Sequence, residues 1–502
     1  MNNSKIKIGW SEVSFVPEGR KVNLVGQFYE RITDTVADPI GVTAMALACG
    51  GEEAIFCSCD LVSTSRTLLL AVRERLAKIE GFPVEKVIIN ATHTHASLGY
   101  AHSSDATSMS GNSLAVLRAI MPNVKYEKLV SYEGEDLLQD EEAFNFVADR
   151  IARAAEEARA NLKDGYYAQA FGRAAIGMCR RVCYDDGSAK MWGDTDMANF
   201  TELEGGNDSG IELLFTYDEK KSLTGVVCNV ACPAQILEHR SVMSADYFGK
   251  VKARLREKLG EQIMLLGLVS PAGDQCPRDM IRWVEPEAPI NDPNIERHDP
   301  TPRVADPSMF DLSGCNKAAR RISDEILYAL DEVSEYVGES QLIHKHFMLD
   351  LPLRRVTIAQ KDAAVKAIEA FAKAQGDKPI NFKDNARMHV HAGTIARYDL
   401  QQNVFNTSIE LHVLKLGSIA FATNPYELFL DYGNQMRARS KASQTFLIQL
   451  CCGSMGYLPT KRAEAGSHYS AYVSSGTVGH EGGDMLVRKT LQEINEMFEE
   501  KQ

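Results

Sequence analysis

Six apolar runs of strand length each end in residues able to do chemistry, and no other feature of the chain constrains its fold as much. EEAIFCSC (52–59) runs into Asp60, and KVIINAT (86–92) into His93. LTGVVCNVA (223–231) stops at Cys232-Pro233, and QIMLLGLVS (262–270) at PAGDQCP. GSIAFAT (417–423) meets NPYE with Glu427, and QTFLIQLC (444–451) passes through CGSMG to Tyr457. In α/β folds ligands bind where strands end, because loops there carry function on a rigid support. Helix-like segments alternate with the runs, at 65–80, 141–161, 245–259, 316–334, 359–375, 425–440 and 484–499. The expected architecture is therefore α/β, a large mixed β-sheet core with flanking helices and a pocket at the strand carboxyl ends. Two stretches lack a period, 101–135 and the Pro- and Asp-rich 277–313, and read as insertions or lid loops.

Composition narrows the class. A net charge of −13 with no long basic run argues against nucleic acid or an anionic membrane as partner. With 44% apolar and 25% charged residues the chain can bury a large core. No run of membrane-spanning length occurs, and the N-terminus MNNSKIKIGW has no signal-peptide pattern. Eleven cysteines, several inside apolar strands, fit reduced thiols and a cytoplasmic location. A small molecule is the expected partner, and a homo-oligomer stays open.

The candidate residues cluster at the run ends. His93 and His95 have the spacing that turns two imidazoles to one face, and neutral imidazole is the commonest metal ligand. His344/His346 and His389/His391 share that spacing but read as bystanders, the first pair on a solvated strand face. Cys232 sits where Pro233 forces a turn and suits zinc, a nucleophile or plain packing. In PAGDQCP, Gly273 allows close backbone approach, and Cys276 is a nucleophile or a pocket wall. Glu427 lies at a strand-to-helix turn, and Tyr457 is a ligand, a proton donor or a packing group. Arg180 and Arg181 form either a clamp for an anionic or hydroxyl-rich substrate or a solvated pair.

IKIGWSEVSFV (6–16), DPIGVTA (38–44), CSCDLV (57–62) and VIINATHTHASLG (87–99) resemble the opening of the neutral/alkaline non-lysosomal ceramidase family. The family signature A-T-H-T-H-S-G-P reads ATHTHASLG here. The likeness continues through SADYFG (244–249), PAGDQCP, NPYELF and GYLPT, then HYSAYVSSGTVGHEGG (468–483). It implies one catalytic domain over 1–502, without the C-terminal β domain of secreted members.

The family holds one zinc by two His, a Glu and a Tyr. The resemblance places these at His93, Glu427 and Tyr457, with Cys232 in place of the second His. His239 and Gln235 are the alternatives for that ligand. It further implies His95 as base or oxyanion donor, Asp274 as the group orienting a ligand imidazole, and Cys276 where the family has Ser. The implied activity is zinc-dependent hydrolysis of an amide or ester-type bond in a small soluble substrate. A cysteine-nucleophile hydrolase using Cys276 and a non-catalytic carbohydrate- or partner-binding protein are the competing readings.

Overall fold

The computed structural model describes residues 3–27, 29–102, 113–123, 125, 132, 134–284, 304–306, 308–376 and 378–499. Much of the two expected insertions lies outside these residues.

All six apolar runs form strands, and they pair two by two in parallel. Glu52–Cys59 pairs with Val87–Ala91, Leu223–Val230 with Met264–Val269, and Ile419–Thr423 with Gln444–Ile448. Parallel pairing sends both partners' carboxyl ends the same way, so each pair delivers two functional loops to one side. Their sequences are continuous rather than alternating in apolarity because both faces are covered. Val87–Ala91, Ile419–Thr423 and Gln444–Ile448 are buried at every position.

The first two pairs are the edges of a nine-stranded mixed sheet. Its order is Met264–Val269, Leu223–Val230, Gly210–Asp218, Lys163–Arg173, Ser4–Ser14, Gly41–Cys49, Glu52–Cys59, Val87–Ala91, with Glu339–Ser340 paired to Ser4–Ser14. The third pair ends a four-stranded sheet that begins with Leu342–Pro352 and Asn406–Leu416. Aromatic rings join the two sheets. Phe56 lies 5.4 Å from Phe421, which stacks on Phe446 at 4.6 Å. Backbone hydrogen bonds stitch the strand ends together: Ala91 N to Leu450 O, Cys452 N to Ile89 O, and Gln449 N to Val269 O.

Six of the seven expected helices form close to their expected bounds, among them Arg66–Leu76, Asp140–Ala160, Asp246–Leu259 and His480–Phe498. The helix expected over 425–440 starts only at Leu430, because Glu427–Leu428 first pairs in parallel with Tyr457–Leu458. The helix Phe382–Leu400 was not foreseen, and it carries His389 and His391. No helix among the described residues is long and apolar enough to cross a membrane. All eleven cysteines are free.

Candidate functional site

His93 leaves its strand in the left-handed region, with φ at 61°, a conformation that costs a non-glycine residue energy and concentrates at functional sites. Its Nδ1 lies 2.5 Å from Val62 O. A carbonyl only accepts, so Nδ1 carries the proton and Nε2 keeps a free lone pair. That lone pair faces Glu427 Oε2 at 3.4 Å and His95 Nε2 at 3.5 Å.

Glu427 and Tyr457 are register partners in their short parallel pairing. Gly273 is required beside them, since a Cβ there would sit 2.3 Å from Glu427 O. The close approach expected at Gly273 is therefore to this backbone. Burial raises the Glu427 carboxyl, but His93, Arg180 and Tyr457 outweigh it and hold the group below its ordinary value. The Tyr457 phenol is pushed well above its ordinary value by burial and by the Glu427 charge. Its hydroxyl lies 3.4 Å from that of Tyr469 and 3.5 Å from Arg180 Nη2.

His95 is held from several directions. Its Nδ1 meets Glu238 Oε2 at 3.0 Å. Burial lowers the His95 pKa against the pull of Glu238. Gly26 presses on the ring, where a Cβ would come within 2.6 Å of Cγ. The buried Arg31 donates to His95 O at 2.7 Å and to Glu238 O at 2.6 Å, fixing both residues.

Arg180 is buried and has no carboxylate among its hydrogen-bond partners. It reaches Gln235 Oε1 at 3.5 Å, Gly273 O at 3.3 Å and Tyr457, with its guanidinium over the Trp192 ring. Trp192 has φ at 58°, a second strained residue at this place.

Several expected roles do not fit the geometry. Arg181 is no substrate clamp. Glu204 grips its guanidinium at 2.6 and 3.0 Å, and the carbonyls of Ala463, Ser467 and Tyr469 take the remaining donors. Asp274 accepts from Leu430 N at 2.9 Å, so it caps the helix Leu430–Arg439 instead of orienting an imidazole. Burial pushes its carboxyl up to about 6. Cys232 is fully buried with Sγ against Pro233 O, and burial drives its thiol well above the ordinary value. Cys232 does not join His93 and Glu427: no third His, Cys, Asp or Glu ligand atom among the described residues lies within 4.8 Å of both. His239 stacks on Phe310 at 4.6 Å and lies 3.5 Å from Asp311, and Gln235 is turned to Arg180. Cys276 is fully buried with its thiol pushed up to about 11 by burial, despite Arg180. Glu238, Arg31, Trp192 and Tyr469 were missed by sequence reasoning, since none lies in a run end or a quoted motif of known role.

A second cluster includes His346, one of the pair expected to be bystanders. His344 is buried, not solvated as expected, and His346 pairs across the strands with His412. Ligand atoms of His346, Glu410 and His412 lie within 4.8 Å of one another, close enough to share a metal ion. Both Glu410 oxygens are already engaged, Oε2 by Arg66 at 2.7 Å and Oε1 by Arg73 at 2.6 Å. The hydrogen bonds fix the protons. His344 donates from Nδ1 to Glu53 O, and burial lowers its pKa to about 2, so its Nε2 accepts from His412 Nδ1 at 2.9 Å. His412 Nε2 donates to Glu410 at 3.0 Å, which makes His412 a buried imidazolium. Burial opposes that charge, and Cys452 and Glu410 overcome it, raising His412 above its ordinary value. His389, on its helix, lies 3.0 Å from Ser113 Oγ and belongs to neither cluster.

No protein-family sequence model and no curated protein matches this chain. Solved structures do. The neutral ceramidase from Pseudomonas aeruginosa superposes with a TM-score of 0.65 at 15% identity, over 98% of this chain and 74% of that one. A ceramidase complexed with C2 gives 0.63 at 13% identity, over 97% and 74%. At such identities the likeness is one of fold, and the chain has the fold of the neutral ceramidases.

Proposed function

We propose that the chain is a metal-dependent hydrolase that cleaves an amide or ester-type bond in a small soluble substrate. One observation carries this reading. His93, its proton tied up by Val62 O, aims a free lone pair at a carboxylate 3.4 Å away. That spacing is too long for a good hydrogen bond. It matches the edge of about 3.3–3.4 Å that separates two ligands around a tetrahedral zinc. The imidazole, carboxylate and phenol of His93, Glu427 and Tyr457 are a donor set that zinc accepts, so these residues fit the ion the resemblance implies. A zinc held there supplies a Lewis acid and lowers the pKa of its water to about 7.

The chain's own residues do the rest. Arg180, buried and hydrogen-bonded to no carboxylate among the described residues, presents its guanidinium to a carbonyl oxygen on which charge develops. Tyr469, linked to Tyr457, is a second donor at the same place. Asp274 and Gly273 hold the Glu427 turn against the helix Leu430–Arg439, and Trp192 covers Arg180. Site residues come from positions 93 to 469, so residues 1–502 are read as one catalytic domain. Free, mostly buried cysteines support a reducing, cytoplasmic setting. The test is a screen of amides, esters and lactones with and without a chelator. Turnover abolished by the chelator and restored by zinc supports the reading. Turnover indifferent to chelator but lost on thiol alkylation would move it to Cys276.

A further inference from the structure

Two imidazoles confront each other at the site. His93 commits its Nδ1 proton to Val62 O, and His95 turns its Nδ1 to the Glu238 carboxylate. A carboxylate attracts the N–H form of the nitrogen it faces, so His95 also carries its proton on Nδ1. Both Nε2 atoms then keep lone pairs, and these meet at 3.5 Å with the rings edge to face at 87°. Opposed lone pairs repel unless something positive lies between them. Zinc–nitrogen bonds of 2.0–2.1 Å around a tetrahedral ion set ligand nitrogens about 3.3–3.4 Å apart, close to the spacing found.

The surroundings of His95 are those of a ligand. Ligating histidines typically present their second nitrogen to a carboxylate or carbonyl, which fixes the tautomer and the ring. Val62 O serves His93 in this way, and Glu238 serves His95. Arg31 ties the carbonyls of His95 and Glu238 into one unit, and Gly26 leaves the ring no room to turn. The other candidates are engaged elsewhere: Cys232 with Pro233 O, His239 with Phe310 and Asp311, Gln235 with Arg180.

We infer that His95, oriented by Glu238, is the second imidazole ligand of the metal, joining His93, Glu427 and Tyr457. This rests on the metal-dependent reading above and changes the role of His95 from base to ligand. It restores a set of two His, one Glu and one Tyr without the position at which the resemblance expects the second His. His95 and Glu427 flank His93 on either side, their own ligand atoms more than 4.8 Å apart, so His93 is the shared member of both close pairs.

The experiment is metal binding, independent of turnover. Full-length protein stripped with a chelator is titrated with Zn2+ against a chromophoric competitor, and with Co2+ while its visible absorption is followed. Wild type, His95→Ala, Glu238→Gln and Cys232→Ser are compared, with folding checked by circular dichroism. Glu238→Gln keeps the shape and is expected to weaken zinc by about 10–100-fold, and His95→Ala by more, with altered Co2+ bands. Cys232→Ser is expected to match wild type. Wild-type affinity and spectrum in both His95→Ala and Glu238→Gln would overturn the assignment while leaving the hydrolase standing. A wild type that takes up no metal would overturn both.

Discussion

The molecule holds two clusters of histidine and carboxylate, and they differ in what their atoms are already doing. Around Glu410, both carboxylate oxygens are held by arginines and His412 carries two protons, each donated within the cluster. Around Glu427, the Nε2 of His93 faces a carboxylate oxygen at 3.4 Å on one side and the Nε2 of His95 at 3.5 Å on the other. Proximity alone favours the first cluster, whose three ligand atoms lie within 4.8 Å of each other. Counting lone pairs and charges favours the second. A cation added at Glu410 would meet Arg66, Arg73 and a buried imidazolium. One added at His93 would meet two imidazoles and the Glu427 carboxylate, with Arg180 beyond them at Tyr457. On the proposed reading, unspent acceptors mark the metal site at His93, and their absence marks a saturated network at Glu410.

Substitutions can break this contrast. Glu427→Ala removes a ligand and is expected to lower zinc affinity more than about 100-fold by competition titration, with little change in folding. Glu410→Gln should do the reverse. It leaves Arg73 and His412 buried without their anion, and is expected to cost about 3–5 kcal/mol in urea denaturation while metal content stays unchanged. Loss of metal in Glu410→Gln with stability intact would exchange the roles of the two clusters.

The pH dependence of stability sharpens the same point. Burial raises the Glu410 carboxyl, but His346, His412 and Arg73 outweigh it and hold it far below its ordinary 4.5. Its contribution is therefore present above 4.5 and lost as pH falls through the folded value. His412 stands above its ordinary 6.5, so its contribution is full below 6.5 and lost as pH rises through the folded value. Both are in force between 4.5 and 6.5. Urea midpoints at about pH 6 and about pH 9 should show the wild type losing more stability on going alkaline than Glu410→Gln does. Equal losses would argue that His412 is neutral.

Smaller effects are expected elsewhere. The Cys276 thiol, raised to about 11, is mostly protonated at neutral pH, so iodoacetamide should leave metal binding and any turnover in place. Rapid inactivation would promote the cysteine mechanism. His346→Ala removes a half-buried contact to an already saturated carboxylate and is expected to shift stability by less than about 1 kcal/mol.

Much of the fold was legible because the six parallel-paired strands are largely buried on both faces and so read as unbroken apolar runs. Their parallel pairing explains why chemistry stands at every run end. His93, Glu427 and Tyr457 stand at such run ends, and the fold brings them to one place. Cys232 is not brought to His93 and Glu427, because a count along a loop fixes a position and not the direction of its side chain. Glu238 was hidden in QILEHRS, a loop whose partner is set by Arg31 from far away in sequence. His344 and His346 looked like bystanders because their contacts to Glu53, Glu410 and His412 run across strands, where sequence spacing says nothing. The late start of the helix at Leu430 also depends on a distant pairing, Glu427 with Tyr457.

The most direct measurement is metal content by plasma mass spectrometry for the wild type, Glu427→Ala and His346→Ala, purified without added metal. Expected is about one zinc per chain in the wild type and in His346→Ala, and none in Glu427→Ala. Zinc retained in Glu427→Ala and lost in His346→Ala would contradict the placement of the metal at His93 and move it to Glu410.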